Sequence, residues 1–152
     1  KTFEEQLTRL SGSATDGDPD APRQWLAVID IDHFKQVNDR FGHLFGDEVL
    51  ILVANVLRSQ FKSQDRIFRF GGEEFVVLLR SATLAQARQA LERMRTALQS
   101  HVFPQIGQIT VSIGVATFNA EAATLSKLMQ YADQALYRAK HDGRNRVVAA
   151  AL

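Results

Sequence analysis

Four acids carry the first chemical signal. Asp30 and Asp32 follow the apolar run Trp25-Leu26-Ala27-Val28-Ile29, and Glu73-Glu74 precede a second apolar run at residues 75–79. In extended chain, residues two apart point to one face, so Asp30 and Asp32 project together if the strand reaches that far. If the two runs are neighbouring strands, both acid pairs converge at one edge of a sheet. Carboxylates gathered there, in a chain with no cysteine and no close pair of histidines, describe a hard oxygen site for Mg²⁺ or Mn²⁺. Paired metal ions in such a site are typical of phosphoryl and nucleotidyl transfer. The competing reading is that these acids are solvated strand ends, since exposed acids are the rule. Their joint occurrence at two strand ends weighs against it.

The elements that must position these acids can be read in order. Residues 25–29 form a short continuous apolar run, as expected of a strand buried on both faces. Leu50, Val53, Leu57 and Phe61 follow a helical period, giving a helix over residues 49–61 for which Asp47 could serve as N-cap. Residues 67–70 and 75–79 are strand-like and flank Gly71-Gly72, a dipeptide suited to a hairpin turn. Leu84, Ala87, Leu91, Met94 and Leu98 share one helix face, with Thr83 and Gln86 offering a capping box. Residues 109–118 read as a strand. Leu125, Leu128, Ala132, Leu136 and Ala139 make a further amphipathic helix ended by Gly143, and residues 147–150 read as a last strand. Phe34, Phe68, Phe70 and Phe75 are expected in the core. A hairpin set among alternating β and α elements implies a mixed sheet covered by helices, α/β in content, with a ferredoxin-like βαββαβ core.

Composition bounds the function classes. The chain has 152 residues, 45% apolar and 23% charged, enough for one domain with a real core. Eighteen basic against seventeen acidic residues give a net charge of +1, unlike the strong positive field of a duplex nucleic-acid binder. The absence of cysteine excludes disulfide staples, thiolate-held zinc and thiol catalysis. No apolar run approaches the roughly 20 residues that span a bilayer, and no secretory leader is visible. Residues 11–22, SGSATDGDPDAP, lack large apolar side chains and read as a loop or linker between an N-terminal segment, 1–10, and the domain proper, 23–152.

The sequence also resembles the GGDEF family of diguanylate cyclases. Gly71-Gly72-Glu73-Glu74-Phe75 is similar to the family signature, in its variant with Glu third. The resemblance extends to Asp30-Ile31-Asp32-His33-Phe34-Lys35, Asn38-Asp39, Phe41-Gly42-His43 and Gly46-Asp47-Glu48. It continues through Ser112-Ile113-Gly114-Val115-Ala116, Ala132-Asp133, Ala139-Lys140 and Gly143-Arg144-Asn145, covering most of the chain in family order.

That resemblance implies a fold similar to nucleotide cyclase and polymerase palm domains. It further implies condensation of two GTP molecules into cyclic di-GMP across a homodimer, with release of two pyrophosphates. Asp30, the Ile31 carbonyl, Glu73 and Glu74 would hold two Mg²⁺ ions per GTP, with Mn²⁺ as a substitute. Glu73 would accept the 3′-hydroxyl proton and Lys35 would add positive charge near the transition state. Asn38 and Asp47 would read guanine, whose N1–H and 2-amino donors a carboxylate can accept together. His43 would contact substrate. Backbone groups from His33, Phe34 and Lys35 at a helix start would cradle phosphates, with Lys140 and Arg144 adding charge. The ordinary reading of Lys140 and Arg144 is interaction with a helix C-terminus.

Two departures from the family stand out. Where relatives carry an Arg-x-x-Asp site that binds product as a brake, this chain has Lys62-Ser63-Gln64-Asp65. Lysine keeps the charge but loses the planar fork, so feedback is expected to be weak or absent. At the N-terminus Glu5-Gln6-Leu7-Thr8-Arg9-Leu10 is similar to the family's start, but residues 11–22 replace its Asn-Arg stretch and most of the helix that follows, which bears on coupling to an upstream regulatory domain. A cytoplasmic setting is expected, with membrane tethering of a longer chain left open, and the start at Lys1 reads as a cut from a larger signalling protein. The rival from another class is a catalytically silent module that binds GTP or cyclic di-GMP as a receptor. A purely structural dimerisation domain would leave the acids unexplained.

Overall fold

The computed structural model describes residues 23–81, 83–118 and 124–150. Segments 1–10 and 11–22 therefore lie outside the described residues.

Strand β1 (Arg23–Ile31) runs through the centre and is followed by two helices, α1 (Phe34–Phe41) and α2 (His43–Arg58). The hairpin β2 (Arg66–Gly71) and β3 (Glu74–Ser81), helix α3 (Leu84–Ser100), strand β4 (Val111–Thr117), helix α4 (Leu125–His141) and strand β5 (Arg146–Ala149) complete the chain. The strands lie in the order β2-β3-β1-β4-β5, antiparallel except for the β4–β5 pair. Sequence order β1-αα-β2-β3-α-β4 with this spatial order is the expected ferredoxin-like core, extended by one parallel edge strand.

Alternation along β1 explains why it reads as a continuous apolar run. Trp25, Ala27, Ile29 and Ile31 face one layer with side chains of α1, α2 and α3, while Leu26 and Val28 face the other with α4. A strand covered on both faces has no polar side to show. The same parity sends Asp30 and Glu74 toward the α4 layer, beside Leu26, Val28, Val76 and Leu78. Gly114 makes the β4–α4 approach possible. A Cβ there would lie 2.2 Å from the Ala132 carbonyl oxygen and 2.3 Å from the Leu136 nitrogen.

Helix ends follow the sequence signals in part. Thr83 Oγ1 accepts from the Gln86 amide at 3.1 Å, and Thr124 Oγ1 from the Lys127 amide at 3.2 Å, each capping its helix. Asp47 is not an N-cap: α2 begins at His43, straight after the break at Gly42, and Asp47 sits inside the helix. The strand expected over 109–118 is trimmed to Val111–Thr117. Phe34 and Phe75 are buried and Phe68 is partly so, but Phe70 is 52% exposed. It lies on an edge strand where the ladder shifts register between Arg69 and Gly71, just before the turn.

Candidate active site

The acid corner forms because β1 and β3 are direct neighbours in register. Asp30 pairs with Glu74 across the ladder, and the two-residue turn Gly72-Glu73 brings the second glutamate to the same end. Asp30 also faces Ser112 of β4. Asp30 is 5% exposed; its Oδ2 accepts from the Lys140 ammonium, and Oδ1 is buried with no hydrogen-bond partner. Burial raises the Asp30 pKa; Lys140 counteracts this, while Glu73 and Asp32 add to it. Glu74 is also raised, by burial first and then by Asp30 and Asp133. Crowded carboxylates pushed upward, one with an open buried oxygen, describe a corner whose single ammonium, Lys140, does not offset burial and mutual repulsion.

Donor type and the orphaned Asp30 oxygen fit a hard divalent cation. Among the described residues, no three His, Asp or Glu side chains gather closely enough to form a complete cage.

Asp32 lies on the same side as Asp30 but differs in kind. Its carboxylate accepts from Thr110 Oγ1 and Ser112 Oγ, both at 2.7 Å, and from the Asn145 amide at 3.0 Å. The spacing rule placed both acids together; the contacts leave only Asp30 with a free acceptor. Arg144 stands nearby, with Nη1 3.9 Å from Asp32 Oδ1. Lys140, expected at phosphate, donates to Asp30 Oδ2 from α4.

A second corner lies where α1 meets α2. Asn38 is half-buried and its Oδ1 has no partner. A Cβ on Gly46 would fall 1.9 Å from that oxygen, so glycine makes room for the amide. Asp47 follows, exposed, and His43 is exposed at the start of α2. At the start of α1, His33 adopts φ 60° and is exposed with Lys35, while Phe34 is buried and could offer only its backbone to a ligand. Ile31 is buried at the end of β1.

Asp133 was missed as a site residue. It lies close enough to raise the Glu74 pKa, is itself raised by burial, and feels Lys140. Its spacing of seven from Lys140 puts both on one face of α4 and is the sequence signal that could have found it. Asn145 lies in the Gly143-Arg144-Asn145 motif, but its 2.8 Å hydrogen bond from Arg95, on α3, carried no local signal.

Over residues 1–146 the sequence matches the family model described as the diguanylate cyclase GGDEF domain. The chain belongs to the GGDEF family. The diguanylate cyclase DgcP of Pseudomonas aeruginosa is 50% identical over 128 residues, covering 82% of this chain but 19% of DgcP. The chain thus spans well under two thirds of the curated relatives it matches first. Among solved structures, the GGDEF domain of DgcB from Caulobacter crescentus in complex with c-di-GMP has a TM-score of 0.85 at 36% identity, covering 97% of this chain and 87% of that one. The active GGEEF domain of a diguanylate cyclase from Vibrio cholerae has a TM-score of 0.81 at 32% identity, covering 99% and 92%.

In this GGDEF domain the loop that replaces Arg-x-x-Asp is closed on itself. The Lys62 amide donates to Asp65 Oδ2 at 2.8 Å, and the Asp65 amide to the Lys62 carbonyl at 3.0 Å. Asp65 is buried and Lys62 exposed. The loop lines a cavity of about 480 Å³ shared with Arg80, Gln86, Gln89 and Arg93. Among the described residues no helix is long and apolar enough to cross a membrane.

Proposed function

We propose that the chain is the catalytic module of a diguanylate cyclase, condensing two GTP into cyclic di-GMP and two pyrophosphates. The observation that carries this reading is the corner where Glu74 lies opposite Asp30, whose Oδ1 is buried and open. The DgcP relationship and the activity ascribed to the Vibrio cholerae GGEEF domain support it.

Asp30, the Ile31 carbonyl, Glu73 and Glu74 would hold two Mg²⁺ ions per GTP. Bound there, the ions supply charge neutralisation for the triphosphate and the leaving pyrophosphate. Asn38 and Asp47 accept hydrogen bonds from guanine at the α1–α2 corner, with His43 beside them. The α1 start, Lys35, Lys140 and Arg144 bind the phosphates. Glu73 takes the 3′-hydroxyl proton as the oxygen bonds to the opposite α-phosphate and the bond to the β-phosphate oxygen breaks. One chain supplies one such corner, so two copies must face each other for turnover. An upstream regulatory domain in a longer protein and a cytoplasmic, GTP-rich setting belong to the same reading.

Incubating the protein with GTP and Mg²⁺ and separating nucleotides by chromatography tests it. Cyclic di-GMP should form at a specific rate that rises with protein concentration, and Glu74→Ala should abolish it. Normal GTP binding with no product at high protein concentration would refute the catalytic reading.

A further inference from the structure

After α4 the chain passes through Gly143, Arg144 and Asn145 at φ 123°, 65° and 47°. Three successive positive values, two of them at residues with a Cβ, are held only where surrounding contacts outweigh the strain. Those contacts come from three separate elements. The Asn145 amide donates to Asp32 Oδ2 at 3.0 Å, just past β1. Asp32 is in turn fixed by Thr110 and Ser112, before and within β4. From α3, Arg95 Nη1 donates to Asn145 Oδ1 at 2.8 Å. Arg95 is itself braced by Glu92 at 2.8 Å and by Gln99 at 3.0 Å.

Between these anchors sits Arg144. Its side chain is 40% exposed, and among the described residues its only ion-pair contact is Asp32 at 3.9 Å, too long for a hydrogen bond. Its donors therefore remain available to a ligand, while the Asp32 carboxylate, Asn145 Oδ1 and Arg95 Nη1 are engaged within the protein.

We propose that Asp32, Asn145 and Arg95 are positioning residues that lock the Gly143-Arg144-Asn145 turn and so aim the Arg144 guanidinium at the triphosphate of GTP. This rests on the cyclase reading above. The locking chain removes the freedom of the turn before substrate arrives, which is the preorganisation that makes a long cationic side chain effective. A purely structural role would tie β5 and α3 together and leave substrate affinity alone.

Asn145→Gly separates the two roles, because glycine accepts φ 47° freely while removing the oxygen that Arg95 holds. The expected result is a melting temperature within a few degrees of wild type, with the GTP KM raised about tenfold. Asn145→Asp retains an acceptor for Arg95 and should restore KM to near wild type. Arg144→Ala with Asn145→Gly should be no worse than Arg144→Ala alone, since both act through one guanidinium. A wild-type KM in Asn145→Gly, or fully additive losses in the double variant, would overturn the proposal. Equilibrium binding of GTP with Mg²⁺ gives the same comparison without turnover. Wild type that binds GTP but makes no product refutes only the cyclase reading, and the variant-to-wild-type affinity ratio then decides the positioning role. Wild type that binds no GTP refutes both.

Discussion

Glu74 lies directly across the β1–β3 ladder from Asp30, and both carboxyls are raised in pKa, chiefly by burial. A carboxyl with a higher pKa folded than unfolded contributes stability that is complete below its unfolded value and lost as pH rises through the folded value. The corner therefore works against the fold at neutral pH, where it must be ionised to bind a cation. Asp30→Asn is expected to abolish turnover yet raise the melting temperature at about pH 7.5, with a smaller gain near about pH 4. Thermal melts at both pH values check this; an equal or opposite shift would remove the argument that the acids strain the fold.

Gly46→Ala is expected to damage substrate use while sparing the fold. Alanine inside a helix ordinarily gains about 1 kcal/mol over glycine. Here its methyl would meet Asn38 Oδ1 at 1.9 Å and push the amide aside. GTP kcat/KM should fall by about 10- to 100-fold with little loss in melting temperature. Unchanged kinetics would show that Asn38 plays no part in base recognition.

Gly114→Ala should act on stability. Its methyl would collide with backbone atoms of Ala132 and Leu136, which cannot turn away as a side chain can. Overpacking of this kind costs about 3 kcal/mol, read from urea denaturation as a lower midpoint at unchanged slope. A midpoint within error of wild type would mean that α4 lifts off β4 freely.

Lys62 should leave the product brake weak. Titrating cyclic di-GMP is expected to show binding weaker than micromolar at the Lys62–Asp65 loop. Lys62→Arg should tighten it about tenfold by restoring a bidentate fork. Micromolar binding in wild type that Lys62 or Asp65 substitutions abolish, with active-site variants unaffected, would contradict this.

What the sequence disclosed and what it concealed follow from the range of the forces involved. Parity within β1 and the Thr83 cap are local, and each appears in the structure where it was read; the hairpin turn, also local, falls one residue later, at Gly72-Glu73, because Gly71 still pairs with Glu74. The convergence of Asp30 with Glu74 was legible because two strand ends and one hairpin suffice to place them. The start of α2 was misplaced because residues 43–48 lack a full apolar face and the break at Gly42 was not weighted. Asp32 looked like a twin of Asp30. Its partners Ser112 and Asn145 lie 80 and 113 residues away, and no spacing rule reaches that far. Lys140 reads as a helix-end cation until α4 is seen to lie over Asp30.

The two faces of the sheet divide the candidate site between them. The acid corner and Lys140 belong to the α4 layer, while Asn38, Gly46 and Asp47 belong to the α1–α2 layer. A ligand using both would wrap around the strand ends and act as a strut between the two layers. Its length then becomes a selection rule: a nucleobase without its phosphates, or phosphates without the base, reaches one side and leaves the other empty.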